Sequence, residues 1–251
     1  MFGKLFGKGG TNPPPPPKFP YPLETVHGSK AFATFERLLK EGKGAPVIVG
    51  DDEALTRIAN VMEFNTEDGR SPVSVLQAAQ GLAFPESLRA AHAEEMRKIR
   101  EKYPDIEEDE EPEVGTWPRV LLPGPSGPAV PYGTLTRLAH PRVHIALIPT
   151  ADRTEIPAYL LWGNWNACPA PEQHVAALRS WRERYGAELV SMSDDVVELR
   201  VTRRPKDRDE AMALAREHYL YCNDTVDQGT GDLATLAASL MASDWWQFWW
   251  D

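Results

Sequence analysis

Short apolar runs recur along the chain and predict β-strands. Runs of this kind cover residues 46–49, 144–149, 158–162, 187–192 and 196–201. The last two flank Ser193-Asp194-Asp195, a sequence that is typical of a β-hairpin turn. Near its end the chain has WWQFWWD, which predicts one more strand. Because side chains alternate along a strand, one face would carry Trp246, Phe248 and Trp250, and the other Trp245, Gln247 and Trp249.

The segments between these runs have the spacing of amphipathic helices. Residues 171–185 place four apolar side chains on one helix face, namely Val175, Leu178, Trp181 and Tyr185. Further helices are predicted to begin after the capping residues Ser29, Asp51, Asp207 and Asp232. The C-terminal elements then follow the order ββαββααβ. This order favours an α+β fold, with a largely antiparallel sheet and helices packed on it, preceded by a smaller α/β region.

Changes in composition divide the chain into four segments. Residues 1–22 include five consecutive prolines and are predicted to be a disordered proline-rich tail. Residues 23–102 are the N-terminal α/β region, and residues 103–133 are a linker that is first acidic and then rich in proline and glycine. Residues 134–251 are the C-terminal α+β domain. The pattern leaves open whether the two structured regions pack as one body.

The composition is that of a globular protein, and it indicates the compartment in which the protein is found. Of the 251 residues, 42% are hydrophobic and 25% are charged. No run approaches the ~18 apolar residues that a membrane helix needs, and the first residues lack the apolar core of a secretory signal. Two cysteines are too few for a disulfide scaffold. We therefore expect a cytoplasmic protein that does not enter a membrane.

The balance of charge indicates the class of partner. The net charge is −10, and residues 151–251 contain 10 basic and 17 acidic residues, a balance of −7. Nucleic acid is repelled by such a surface, and no basic stripe offsets it. A protein partner with a basic surface is favoured instead.

Several segments occur together in an order that resembles a known family. They are WGNWNACPAPEQHVAALRSWRERYGAELV, VVELRVTRRP, YCNDTVDQGTGDLATLAASL and WWQFWWD. With this spacing, residues 143–251 resemble the bacterial domain-of-unknown-function family 4253. The resemblance implies no activity and assigns no catalytic residue.

One pair of residues suggests an enzyme. Cys168 lies just before the helix predicted at residues 171–185, and His174 lies about one and a half turns further on. The positive end of a helix lowers the pKa of a nearby thiol, and a histidine within reach makes a nucleophilic cysteine plausible. A hydrolase or transferase that uses Cys168 and His174 is therefore one hypothesis, and a packed thiol is the other.

Two further patterns suggest a ligand. His218 and Cys222 stand four residues apart on one helix face, which suits two ligands of one metal, although a buried histidine and a buried thiol explain them more simply. Gly229 and Gly231 fit the spacing of a dinucleotide-binding turn, but no strand is predicted before them. A small-anion or ligand site at this turn stays open beside a simple connection between helices.

Tryptophan and polar turn residues are candidates for binding. Seven of the eight tryptophans lie between residues 162 and 250, where most are expected in the core. An exposed one or two would anchor an interface, and polar turn residues beside them would contribute. The candidate binding residues are Asn164, Trp165, Asn166, Asp227, Gln228 and Trp249.

These observations predict a bacterial cytosolic protein of interaction type. The first hypothesis is a non-catalytic acidic module, immunity-like or regulatory, that binds a basic protein and needs no cofactor. It predicts that replacing Asp194, Asp195 and Asp227 by asparagine weakens binding to the basic partner. The alternatives are the Cys168–His174 enzyme and the ligand site at Gly229 and Gly231.

Overall fold

Six strands form one mixed sheet in the computed structural model, which describes residues 19–105, 111–121 and 124–250. The strands are β1 (Leu23–Val26), β2 (Ala45–Gly50), β3 (Val143–Ile148), β4 (Glu188–Met192), β5 (Val196–Arg200) and β6 (Trp245–Trp249). Their order across the sheet is β1-β3-β2-β4-β5-β6. The predicted proline-rich tail lies outside the described residues, apart from residues 19–22.

Strand β2 occupies the middle of this sheet although it comes from the N-terminal region. It pairs antiparallel with β3 on one side and parallel with β4 on the other, where Ile48 faces Ser191. All other pairings are antiparallel. The predicted α+β fold with a largely antiparallel sheet is confirmed. Because β3 and β4 do not touch each other in the sheet, the C-terminal strands are continuous only through β2.

Helices pack around the sheet. They are α1 (Ala31–Glu41), α2 (Asp52–Glu67), α3 (Pro72–Ala79), α4 (Glu86–Lys102), α5 (Ile156–Tyr159), α6 (Pro171–Tyr185), α7 (Arg208–Tyr221) and α8 (Leu233–Ala242), with a π-helical turn at Thr225–Thr230. The predicted caps Asp51, Asp207 and Asp232 all accept backbone N–H groups in the first turn of their helices. A cap of this type stabilises a helix by about 1 kcal/mol.

Two local predictions were wrong. Residues 158–162 are not a strand: they fall in α5 and the turn after it. Pro157 at the start favours a helical turn, and the apolar run is explained by burial rather than by pleating. Ser29 does not cap α1 but lies in a 3₁₀ turn, and the helix begins at Ala31. The buried face of α1 consists of Ala31, Phe35 and Leu38.

The sheet buries both of its faces. In β2, Val47 and Val49 point towards the core formed with α2 and α5–α8, whereas Ile48 points to a smaller core under α1. The predicted alternation in β6 is confirmed. Trp246, Phe248 and Trp250 lie in the larger core, and Trp245 lies in the smaller one. Phe248 stacks on Trp181 of α6, with ring centroids 5.4 Å apart.

Several turns of the chain lie at one end of the sheet. This end carries the β4–β5 turn, and we call it the hairpin end. Strand β2 also finishes at the hairpin end, because it runs parallel to β4. The register pairs Gly50 with His144 and Val196 with Trp249, so β3 begins and β6 finishes at the same end. Residues far apart in sequence are therefore neighbours at this end.

The segment predicted as a linker contacts the fold where it is described. Leu233 N–H donates to the Glu113 carbonyl at 2.9 Å, and Ala234 N–H to the Val114 carbonyl at 3.0 Å. Residues 106–110 of the acidic run, together with 122–123, lie outside the described residues. The domain boundaries stay a prediction. Within the described parts, no helix is both long enough and apolar enough to pass through a bilayer.

A chain restricted to residues 134–251 should fail to fold cooperatively, because it lacks β1 and β2 and so leaves β3 without its link to β4. The measurement is thermal and urea unfolding followed by circular dichroism. The control is a chain that starts at residue 19, which keeps all six strands and should unfold in one transition. A cooperative transition in the shorter chain would show that the C-terminal strands do not need β2.

Candidate functional site

A cleft of about 650 Å³ opens at the hairpin end. Ligand sites in sheets with parallel strands lie beyond the carboxyl ends of those strands, and β2 and β4 are the parallel pair here. The cleft walls come from the start of α2, the β4–β5 turn, the end of β6 and residues 129–140. Its volume lies within the range of about 300–1,000 Å³ that is usual for binding pockets.

The junction of β2 and α2 shapes one wall. Gly50 has φ 96°, and a Cβ there would lie only 2.8 Å from the Ala54 Cβ. Glycine is needed for this turn because the backbone is left-handed and the helix is close. The next residue, Asp51, caps α2 through the N–H groups of Glu53 and Ala54 and also lines the cleft.

Carboxylates outnumber cations along the cleft. Four acids line it, namely Asp51, Glu53, Asp194 and Asp195, against two arginines, Arg57 and Arg137. Arg57 pairs with Glu53 and, at 3.1 Å, with Asp194. His140 Nδ1 lies 3.4 Å from an Asp51 carboxylate oxygen.

Asp195 is the acid that has no such partner. No ion pair joins it to a cation within the described ranges, and it accepts a hydrogen bond from the Ser193 hydroxyl at 3.2 Å. Desolvation by burial raises the pKa of Asp195, and the neighbouring Asp194 carboxylate raises it further. The Ser193 hydroxyl and the charge of Arg57 lower the pKa of Asp195, but burial and the Asp194 carboxylate outweigh them.

A buried carboxylate holds residues 129–130 beside the cleft. Glu198 of β5 is 2% exposed and accepts hydrogen bonds from Ala129 N–H at 2.6 Å, Val130 N–H at 3.4 Å and the Gln247 amide at 3.3 Å. Burial raises the pKa of Glu198, and the backbone N–H groups act in the opposite direction. The cleft wall is thus tied to the sheet by one acid.

The structure brings Cys168 and His174 together. The Cys168 Sγ lies 3.5 Å from His174 Nε2, and His174 Nδ1 lies 2.6 Å from the Tyr221 hydroxyl. Cys168 is 5% exposed and the other two are buried. Burial raises the pKa of the Cys168 thiol well above its usual range, against the lowering expected from the start of α6. Burial also lowers the pKa of His174 to about 3.

The hydrogen bonds of His174 determine which ring nitrogen carries the proton. The Pro169 carbonyl also raises the pKa of His174 against the effect of burial, as a carbonyl does when it faces a ring N–H. Because Nδ1 faces Tyr221, we assign this proton to Nε2, and the Tyr221 hydroxyl then donates to Nδ1. A protonated Nε2 does not accept the proton of the Cys168 thiol. In this tautomer the contact is a packing contact rather than a nucleophile and its base.

His218 and Cys222 do not face a common point. The Cys222 thiol donates to the Trp249 carbonyl at 2.9 Å. The His218 ring packs against Trp246 and Phe248, and burial lowers the pKa of His218 to about 3. Among the residues that the structure describes, no group of three or more His, Cys, Asp or Glu side chains is arranged to hold a metal ion.

The candidate binding residues are divided between three places. Trp249 lines the cleft. Asn164, Trp165 and Asn166 lie in the loop before α6 and are not part of the cleft lining. Asn164 and Asn166 have φ 73° and 47°, and Trp165 packs edge-on against Trp162 at 4.7 Å.

Asp227 and Gln228 lie in the π-helical turn and bond locally, to Asn223 and Asp224 respectively. The same turn supports Trp249 from behind. A Cβ at Gly229 would lie 2.9 Å from the Trp249 ring, so only a glycine allows this close packing. Asp232 caps α8 and so occupies the helix start beyond Gly231 with a carboxylate, which opposes an anion there.

Sequence patterns did not identify most of the cleft. Among the residues that were missed are Asp51, Arg57, Tyr132, Arg137 and His140. The turn after β2 and the turn after β4 each have a clear local signature. The sequence does not reveal that these two strands pair, since 137 residues lie between the end of β2 and the start of β4.

Both cysteines should react slowly with iodoacetamide in the folded protein at about pH 8, because burial raises the pKa of each thiol. We expect labelling at least about tenfold slower than in the guanidinium-unfolded chain. Peptide mass spectrometry measures each site separately. Native labelling of Cys168 at the unfolded rate would instead support the enzyme hypothesis.

Glu198→Gln should change the pH dependence of stability. The folded pKa of Glu198 lies above the ordinary 4.5, so the native chain loses stability at this residue as pH rises through the folded pKa. Glutamine does not ionise. The unfolding free energy of the variant minus that of the wild type, measured by urea unfolding, should therefore increase as the pH rises above about 4.5. Glu63→Gln, at an exposed position, is the matched control and should give a flat difference. A flat difference for Glu198→Gln would contradict the assignment.

Comparisons with known proteins identify the C-terminal part. Residues 144–251 match the family model described as Domain of unknown function (DUF4253). No curated protein and no solved structure matches the chain. The resemblance predicted from the sequence is therefore confirmed: the C-terminal part of the chain, residues 144–251, matches the DUF4253 family.

Proposed function

We propose that this protein is a non-catalytic interaction module that binds a protein with a basic surface through its hairpin end. The observation that carries the proposal is the cleft of about 650 Å³ with Asp194 and Asp195 in its wall. These acids lie on the tight turn between two paired strands, so their positions are fixed before a partner arrives. Fixed charges reduce the ordering cost of association.

Electrostatics supports a cationic partner. The chain carries a net charge of −10, so a basic protein is attracted over a distance of about one Debye length, ~10 Å at 0.1 M salt. A cation beside Asp195 would also relieve the repulsion from Asp194 that raises its pKa. Association of this kind weakens as salt increases.

The proposal also includes the compartment and the biological role of the protein. We place the protein in the cytosol of a bacterium, in an immunity-like or regulatory role, without a cofactor and without nucleic acid as partner. Cys168 and Cys222 are free thiols, which agrees with a reducing compartment.

A Cys168–His174 enzyme is the second candidate, favoured by the 3.5 Å contact between these side chains. Three features oppose it: the buried thiol, its raised pKa and the proton assigned to His174 Nε2. The ligand site at Gly229 and Gly231 is the third candidate. The Asp232 carboxylate at that helix start makes it the weakest.

The test is capture of a partner by the full-length chain from lysate of the source cells, at about 0.1 M and about 0.5 M salt. One stoichiometric protein that is lost at the higher salt is expected. With that protein purified, Asp194→Asn/Asp195→Asn should weaken binding about tenfold, which corresponds to about 1.4 kcal/mol.

The matched control is Glu63→Gln/Glu67→Gln, which removes the same charge from exposed positions of α2. It should change the affinity by less than about twofold. Equal losses in the two double variants would attribute binding to net charge alone. Binding that resists high salt would contradict the electrostatic proposal.

A further inference from the structure

Residues 132–139 form a small finger at the rim of the cleft. Tyr132 and Ala139 pair as an isolated antiparallel bridge. Inside it, Gly133 N–H donates to the Leu138 carbonyl at 2.9 Å, and Arg137 N–H to the Gly133 carbonyl at 2.8 Å. Arg137 has φ 55°, a left-handed conformation that is uncommon outside glycine and asparagine. The finger therefore has a defined conformation closed by its own backbone.

The base of the finger is attached to the fold. His140 N–H donates to the Pro131 carbonyl at 3.0 Å, and Gly28 N–H donates to the His140 carbonyl at 2.8 Å. A Cβ at Gly28 would lie 2.3 Å from the Pro131 carbonyl oxygen, so glycine is required for this approach. The base of the finger is consequently held by the 3₁₀ turn that precedes α1.

The finger presents apolar side chains to solvent. Leu135 is 96% exposed and Leu138 is 71% exposed. Tyr132, Thr134 and Arg137 of the same finger line the cleft. The two exposed leucines thus lie on the same loop as side chains that line the cleft, among them the cation Arg137. Contiguous exposed apolar patches rimmed by polar groups mark protein-binding surfaces, and Leu135 and Leu138 are the apolar groups that this loop offers to a partner.

Trp249 forms part of the cleft wall, and contacts within the protein hold it in place. Its ring rests against Gly229, and its carbonyl accepts the Cys222 thiol. A cation that enters beside Asp195 would meet both a carboxylate without an ion-pair partner in the described ranges and an aromatic ring. Aromatic faces attract ammonium and guanidinium groups, tryptophan most strongly.

We propose that the cleft and the finger form one docking surface for a partner segment in which a lysine or arginine is flanked by apolar residues. The cationic side chain enters between Asp195 and Trp249, and the flanking apolar residues lie on Leu135 and Leu138. Charge complementarity selects this occupant over a second copy of the chain, which would bring the same net charge of −10. This inference rests on the proposed function and specifies the chemistry of the partner.

The test uses capped tripeptides as probes and the full-length ¹⁵N-labelled protein. Acetyl-Leu-Arg-Leu-amide is titrated while the eight indole N–H signals and the backbone amides are followed by NMR. Trp249→Phe assigns one indole signal. We expect saturable shifts confined to that indole, the β4–β5 turn and the finger. Acetyl-Gly-Arg-Gly-amide should bind at least about threefold more weakly, and acetyl-Leu-Glu-Leu-amide should cause no saturable shift.

Variants separate the two parts of the surface. Leu135→Ser/Leu138→Ser should reduce affinity for the Leu-Arg-Leu probe to that of the Gly-Arg-Gly probe, and Asp195→Asn should reduce both about fivefold. Val73→Ser, an exposed apolar position on α3, is the matched control and should have no effect. Equal binding of the Arg and Glu probes, shifts elsewhere on the protein, or no binding of the Arg probe would overturn the proposal.

The outcome is independent of the capture experiment. If a basic partner is captured and is lost with Asp194→Asn/Asp195→Asn, but Leu135→Ser/Leu138→Ser leaves its affinity unchanged, then the proposed function holds and the docking inference fails. If the probes bind at the cleft but the captured partner resists high salt, the docking surface holds and the electrostatic function fails.

Discussion

The position of β2 is the constraint on which the rest of this structure depends. All six of its residues are buried, because one face meets the large core and the other meets α1. A strand buried on both faces has to be a continuous apolar run, and APVIVG satisfies this requirement. Since β2 is parallel to β4, the end of β2 at Gly50 is also beside the β4–β5 turn. The position of β2 therefore determines both the fold and the location of the cleft.

The aromatic core explains the direction in which the pKa values of the polar groups inside it are shifted. Trp162, Trp250 and Tyr221 surround His174 at ring distances of 4.9–5.8 Å. Such packing removes water, and without water the charged form of an imidazole or a thiol is disfavoured. The arrangement that brings Cys168 close to His174 thus also keeps both groups neutral. Proximity of two reactive residue types is not sufficient for catalysis, since the proton positions and access of substrate matter as well.

Local sequence patterns predicted the parts of the fold that local interactions determine. The caps at Asp51, Asp207 and Asp232 and the alternation in β6 depend on neighbours within a few residues, and each was predicted correctly. Residues 158–162 show the limit of this approach, because an apolar run indicates burial without specifying its backbone. Local patterns also do not predict the cleft. Its walls come from segments whose contact depends on strand pairing across more than a hundred residues, and Trp249 alone among the candidate binding residues lines it.

The finger at residues 132–139 has a consequence for how this surface can evolve. Backbone hydrogen bonds close it, and its side chains at Thr134, Leu135 and Thr136 are exposed. Substitutions at these tip positions change the shape and polarity offered to solvent while leaving the strands, the aromatic core and the buried Glu198 untouched. Such a loop can drift in sequence faster than its scaffold, so descendants of one ancestral fold can acquire different recognition without first losing the ability to fold.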